Sequence, residues 1–288
     1  CRTYVVFHDC GHDSYTPSKT LNYILGNLLG VFVLTPMCWN WTHGNHHLTS
    51  GNITNDLHHR FNELIFHTRG QYRKMNWITR TIYKIVRHPI IFFTISPIIY
   101  CGIKQRFDVL KYKLTNQRRF TQSTIQIVFE TILSNTCILY FMFWLVEYEI
   151  ILQYCGSLVI FATSLMMTFQ NQHTFVPSYI VETKEWTQRD SGLLGSTLIL
   201  YPRWFTYFTM GVEYHHIHHM NSKLPGYNLQ KYHDEVVRTS NLFDNVVKLS
   251  MADCYNNLWL ALRDENTNRY ITLAEAEADR DGVKYKPL

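Results

Sequence analysis

Apolar residues gather into four stretches, residues 21–41, 89–103, 125–146 and 150–169, separated by polar connections. The last two approach the roughly 20 residues a helix needs to cross a bilayer. The first two are weaker: one carries Gly26, Gly30 and Pro36, and the other is short and broken by Pro97. Such segments suit a re-entrant or interfacial course, with their freed backbone groups buried in protein. A soluble protein with buried core helices is the alternative, disfavoured by the length of the last two runs. From residue 221 the chain turns polar. Residues 242–263 set Val246, Val247, Leu249, Met251, Leu258, Trp259 and Leu262 at helical spacing, which predicts one or two amphipathic helices. Residues 274–281 form an acidic stretch expected to fray. The reading is therefore one domain over residues 1–273 and a polar tail over 274–288.

Charge in the connections orients these elements. Lys104, Arg106, Lys111, Lys113, Arg118 and Arg119 face a single acid, Asp108, before residue 125. The turn at Glu147 and Glu149 has no Lys or Arg. Basic loops stay on the cytoplasmic side, so residues 125–146 and 150–169 form a hairpin that leaves and returns. It delivers His173 to the cytoplasmic edge of the membrane, beside everything from His8 to Arg119.

Composition adds limits. A chain of 288 residues, 46% apolar and 15% aromatic, can bury a large core. Mean hydropathy is slightly negative, so apolar spans coexist with a sizeable polar part. The net charge of +5 comes without any helix-turn-helix, zinc-finger or RNA-binding signature, which excludes nucleic acid as a partner. Seven scattered cysteines with no C-x-x-C pair read as small apolar residues in a reducing compartment. The chain opens at Cys1 close to an apolar run, and an N-terminal piece is expected to be missing.

The chemistry lies in the fifteen histidines. Three clusters stand out: HDCGH at 8–12, HGNHH at 43–47 and HHIHH at 215–219. Residues three or four apart share a helix face, so His8 and His12 point together, as do His43, His46 and His47, and His215, His218 and His219. Imidazole suits iron, zinc, copper or nickel, whereas magnesium and calcium take oxygen donors. Eight such donors, with His173 as a ninth, exceed one tetrahedral zinc and match two metals. Metal-bound imidazoles usually donate their other N–H to a nearby acceptor, and Asp9, Asn45, Asp56, Glu213, His216 and Asn221 are the neighbours placed for such support. His58, His59, His67, His88 and His233 lack convergent partners.

These boxes, in this order, resemble those of the membrane fatty-acid desaturases. GVEYHHIHHMNSKLPGY at 211–227 is similar to the third-box region of the acyl-lipid, delta-12 or omega-3-like branch, and LWLALRDE at 258–265 resembles that branch's C-terminal helix. The resemblance runs over most of the chain. It implies an all-α integral membrane protein whose cytoplasmic helical cap holds a di-iron site. The implied ligands are His8, His12, His43, His46, His47, His173, His215, His218 and His219. It further implies O2 as co-substrate, a lipid-linked acyl chain as substrate, and a cis double bond as product. Oxidising an unactivated CH2–CH2 unit lies beyond any side-chain acid or base, so bound metal must carry it. No cytochrome b5 signature, dinucleotide turn or four-cysteine cluster is present, and electrons come from a separate donor, cytochrome b5 or ferredoxin. Trp39, Trp41, Phe175 and Tyr179 are aromatics close enough to the boxes to line an acyl tunnel. Rival readings are a related di-iron hydroxylase, ketolase or conjugase, a membrane zinc hydrolase, and a scaffold with a vestigial site. The NSKLPGYNL sequence after Met220 favours desaturation over the first, the eight clustered histidines speak against the second, and the unsubstituted boxes against the third.

Overall fold

The computed structural model describes residues 1–55, 66–105 and 124–278. Asp56, His58, His59 and most of the basic connection before residue 125 lie outside the described residues.

The chain begins with α1 (Arg2–Gly11), which lies against α2 (Lys19–Phe32). Ser18 caps α2 by accepting from the Leu21 amide at 3.2 Å, satisfying one of the donors a helix start leaves unpaired. Leu34, at φ 52°, then reverses the chain into a 3₁₀ turn (Met37–Trp39) and α3 (Asn40–Thr49). A Cβ on Gly30 would sit 2.5 Å from the Thr35 carbonyl oxygen, so only glycine allows this tight return. The outgoing and returning arms are bent by 107°, and residues 21–41 are not one straight span.

After β1 (His67–Thr68) come α4 (Arg69–Lys74), α5 (Trp77–Arg87) and α6 (Pro89–Ile99). The ring of Pro89 holds His88 in extended backbone, and α5 and α6 meet there at 83°. Pro97 removes an internal helix N–H, and a π-turn (Tyr100–Lys104) follows. Helices α7 (Thr124–Glu147) and α8 (Ile151–His173) are the hairpin expected from hydropathy, joined through Glu149 at φ 56°. Each contains a 23-residue apolar span, about 35 Å of helix, mostly unburied by protein and long enough to cross a bilayer. At its far end α8 turns polar. Gln170 donates to the Asn257 carbonyl at 2.8 Å and Gln172 to that of Val212 at 2.7 Å, which fixes the helix end that bears His173.

The polar half follows: α9 (Gln188–Leu193), β2 (Thr197–Ile199), α10 (Thr206–Thr209), α11 (His215–Met220), α12 (Gly226–Thr239) and β3 (Val247–Leu249). Then come α13 (Met251–Asn257), β4 (Leu260–Asp264), β5 (Arg269–Thr272) and α14 (Leu273–Ala278). β2 and β3 pair in parallel, and β4 lies between parallel β1 and antiparallel β5.

Two expectations change here. Residues 242–263 hold one short helix, α13, between strands β3 and β4, and the end of LWLALRDE is strand, not helix. Leu260, Ala261 and Leu262 are all buried, a continuous apolar run that fits a strand covered on both faces. The described residues of the acidic stretch are helical rather than frayed: α14 reaches Ala278 and buries Ala276 against Tyr72, Leu262 and Ile271.

Candidate metal centre

His8 lies on α1 and His12 caps its end; His43, His46 and His47 lie on α3; His173 ends α8; His215, His218 and His219 lie on α11. The four segments meet. His8, His12, His43, His47 and His218 form one group, and His46, His173, His215 and His219 a second. Within each group the potential donor atoms lie within 4.8 Å of one another.

The grouping refines the expectation that each H-x-x-H-H box points one way. At 3.6 residues per turn, positions i and i+4 differ by about 40°, while i+3 falls about 60° to the other side of i. His43 and His47 therefore turn to one group and His46 to the other. On α11, His215 and His219 turn to the second group and His218 to the first. Each box holds both groups, so two short helices fix the groups side by side. The ring centres of His47 and His219 are only 4.2 Å apart.

The nitrogens facing inward are Nε2 atoms. His43 Nε2 lies 2.9 Å from His8 Nε2 and 3.0 Å from His47 Nε2, which is 3.0 Å from His218 Nε2. In the second group His173 Nε2 lies 3.1 Å from His46 Nε2 and 2.8 Å from His215 Nε2. His12 Nε2 and His219 Nε2 are buried with no hydrogen-bond partner among the described residues. A neutral imidazole has one N–H, so these contacts cannot all be hydrogen bonds. Converging lone pairs in a buried space are costly without a cation between them. Burial, followed by the neighbouring imidazoles, pushes His215, His218 and His219 well below the usual histidine range and keeps them neutral, the form that ligates metal. For His12 burial, His8 and then Lys223 act the same way. The donor set fits nitrogen-seeking transition metals, and its nine imidazoles exceed what one ion takes.

Outer contacts orient two of the rings. His8 Nδ1 donates to Asp9 Oδ1 at 3.2 Å, and Asp9 Oδ2 accepts from the Gly226 amide at 2.7 Å. His173 Nδ1 faces the Gly195 carbonyl at 3.2 Å and Ser50 Oγ at 3.3 Å. Neither Ser50 nor Gly195 was visible from sequence, because a backbone carbonyl has no signature and Ser50 is far from His173 in the chain. The other neighbours bond elsewhere. Asn45 donates to the Trp41 carbonyl, Glu213 accepts from Thr206 and Thr209 hydroxyls at 2.5 and 2.6 Å, and Asn221 accepts from the Lys223 amide. His216 turns away from both groups, with its ring centre 4.7 Å from that of Phe243; burial lowers it to about 3.

An apolar cavity of about 400 Å³ opens on both groups, through His8, His43 and His218 on one side and His215 on the other. It runs along α8 from Phe169 to Cys155, about 21 Å of helix. Trp39 lines it; Trp41, Phe175 and Tyr179 do not. Phe175 instead packs with Ile199, Leu249 and Cys254.

The chain is similar in sequence to known proteins. The chain is 28% identical over 273 residues to a fatty acid desaturase of Bacillus subtilis, covering 94% of this chain and 73% of that protein. It is 23% identical over 244 residues to an sn-1 oleoyl-lipid 12-desaturase of a Synechocystis species, covering 80% of this chain and 63% of the relative. A ferredoxin-type sn-1 acyl-lipid omega-3 desaturase of Synechocystis is 35% identical over 96 residues, 33% of this chain and 26% of that one. The family model for fatty acid desaturases matches residues 1–244. With that match over most of its length, this chain belongs to the fatty acid desaturase family.

Proposed function

We propose that the protein introduces a cis double bond into a lipid-linked acyl chain, using O2 and two external electrons at a pair of irons. One observation carries the reading: two adjoining groups of imidazoles close one side of an apolar cavity. His8, His12, His43, His47 and His218 would hold one ion and His46, His173, His215 and His219 the other. Irons bound there supply the oxidising power that no side chain has.

The remaining work belongs to the chain's own residues. The cavity wall along α8, with Leu158, Phe161, Leu165 and Phe169, desolvates a hydrocarbon and excludes water. Placement along that wall decides which C–C bond faces the histidines, and this sets regiochemistry. Asp9 holds the His8 tautomer that turns Nε2 inward. The hairpin α7–α8 spans the bilayer with the histidines at its cytoplasmic edge, a reading supported by the basic connection before residue 125. Electrons come from a separate carrier, ferredoxin as named for the Synechocystis omega-3 relative, or cytochrome b5; an acidic carrier suits the basic cytoplasmic face.

Expression of the full-length protein in a host of defined lipid composition tests this. A new unsaturated fatty acid by gas chromatography is the expected result. A hydroxylated product instead would assign the protein to the hydroxylase branch of the same chemistry.

A further inference from the structure

Helix α5 (Trp77–Arg87) takes no part in the metal groups or the cavity, yet its two faces are the reverse of those of a helix in a soluble protein. Ile78, Ile82, Ile85 and Val86 fall within about 100° of arc at helical spacing. They are 50%, 54%, 53% and 45% exposed. The opposite face, Arg80, Tyr83, Lys84 and Arg87, is the one turned to protein. Tyr83 Oη donates to the Ala261 carbonyl at 2.6 Å, Lys84 Nζ lies 2.5 Å from Glu277 Oε1, and Arg80 donates to the Met75 carbonyl at 3.0 Å. The polar face thus bonds to β4 and α14 while the isoleucine stripe stays about half exposed. In a soluble helix the apolar stripe would face the core.

Two further observations identify what covers that stripe. Helix α6 follows at 83° and carries no charged residue, with Ile90, Ile95 and Ile99 exposed. A helix set nearly at right angles to one that enters lipid runs along the lipid surface. Residues 66–105 also contain no Asp or Glu, and although Arg69 pairs with Asp264 and Lys84 with Glu277, Arg73 and Lys74 just before α5 are exposed and placed for anionic headgroups. We propose that α5 lies in the plane of the bilayer surface, with Ile78, Ile82, Ile85 and Val86 at the hydrocarbon boundary, and seats the β1–β4–β5 sheet on the lipid. Strands β4 and β5 and helix α14 lie beyond residue 244, where the family match ends. Their attachment to α5 gives that segment a role: it braces the polar half against the membrane. The inference depends on the membrane course of the chain and not on the chemistry at the histidines.

Photocrosslinking of the full-length protein in vesicles of phosphatidylcholine and phosphatidylglycerol tests it. A benzophenone probe placed at Ile82 is expected to form phospholipid adducts, and one placed at Tyr83 to crosslink within residues 260–278. Capture of a second protein chain by the Ile82 probe, or of no phospholipid, would overturn the proposal. As a measurement independent of the probe, amide exchange in α5 is expected to speed at least tenfold in the double variant Ile82→Asp, Ile85→Asp and to stay unchanged in Ile82→Leu. Equal exchange in the aspartate variant would overturn it as well.

Discussion

The ring of His47 lies 4.2 Å from that of His219, centre to centre, although the two belong to different histidine groups. The groups therefore share a wall, and a change in one reaches the other. Replacing His46 or His218 by Ala, one from each group, is expected to abolish product. His67→Ala should leave product unchanged, because that ring sits at the surface beside Gln71, remote from both groups. Fatty-acid profiles of the three variants in one host measure the contrast.

Asp9 is a carboxylate in contact with a histidine of the groups, and both of its oxygens are occupied. An Asn at this position must present an N–H to either His8 or the Gly226 amide, both of which are donors. Asp9→Asn is expected to weaken metal binding by about 10–100-fold, the usual cost of losing such an outer partner. Competitive metal titration with a chelator measures it.

The cavity and the metal groups can be separated by one substitution. Ala162 lines the cavity on α8 and is not one of the grouped histidines. Ala162→Trp fills space needed by an acyl chain, so product should fall at least tenfold while bound metal is retained. Parallel assays of product and metal content check this.

Gly30 admits the Thr35 carbonyl where a Cβ would lie 2.5 Å from it. Backbone cannot yield as a flexible side chain does. Gly30→Ala is therefore expected to destabilise the protein by about 1–3 kcal/mol through overpacking, seen as a lower melting temperature in detergent.

Much of this was legible in the sequence for a physical reason. Helical periodicity is local, so the histidine boxes and the long hairpin could be read from neighbouring residues alone. The division of each box between two groups follows from the same periodicity, but only once partners from other helices define the directions. Strand β4 was hidden because its partners are remote: Leu262 pairs with His67 across 195 positions, and a three-residue apolar run fits helix or strand equally. Asn45, Glu213 and Asn221 lie beside the boxes in sequence but point into local turns and neighbouring hydroxyls. Adjacency along the chain does not fix side-chain direction. Helix α5 gives little sequence signal because its isoleucines alternate with basic residues over only three turns.

Elemental analysis of the purified full-length protein tests the central claim most directly. Two adjoining imidazole groups predict two iron ions per chain, with less iron bound in both His46→Ala and His47→Ala. A single zinc per chain, or two irons retained in both variants, would contradict the account.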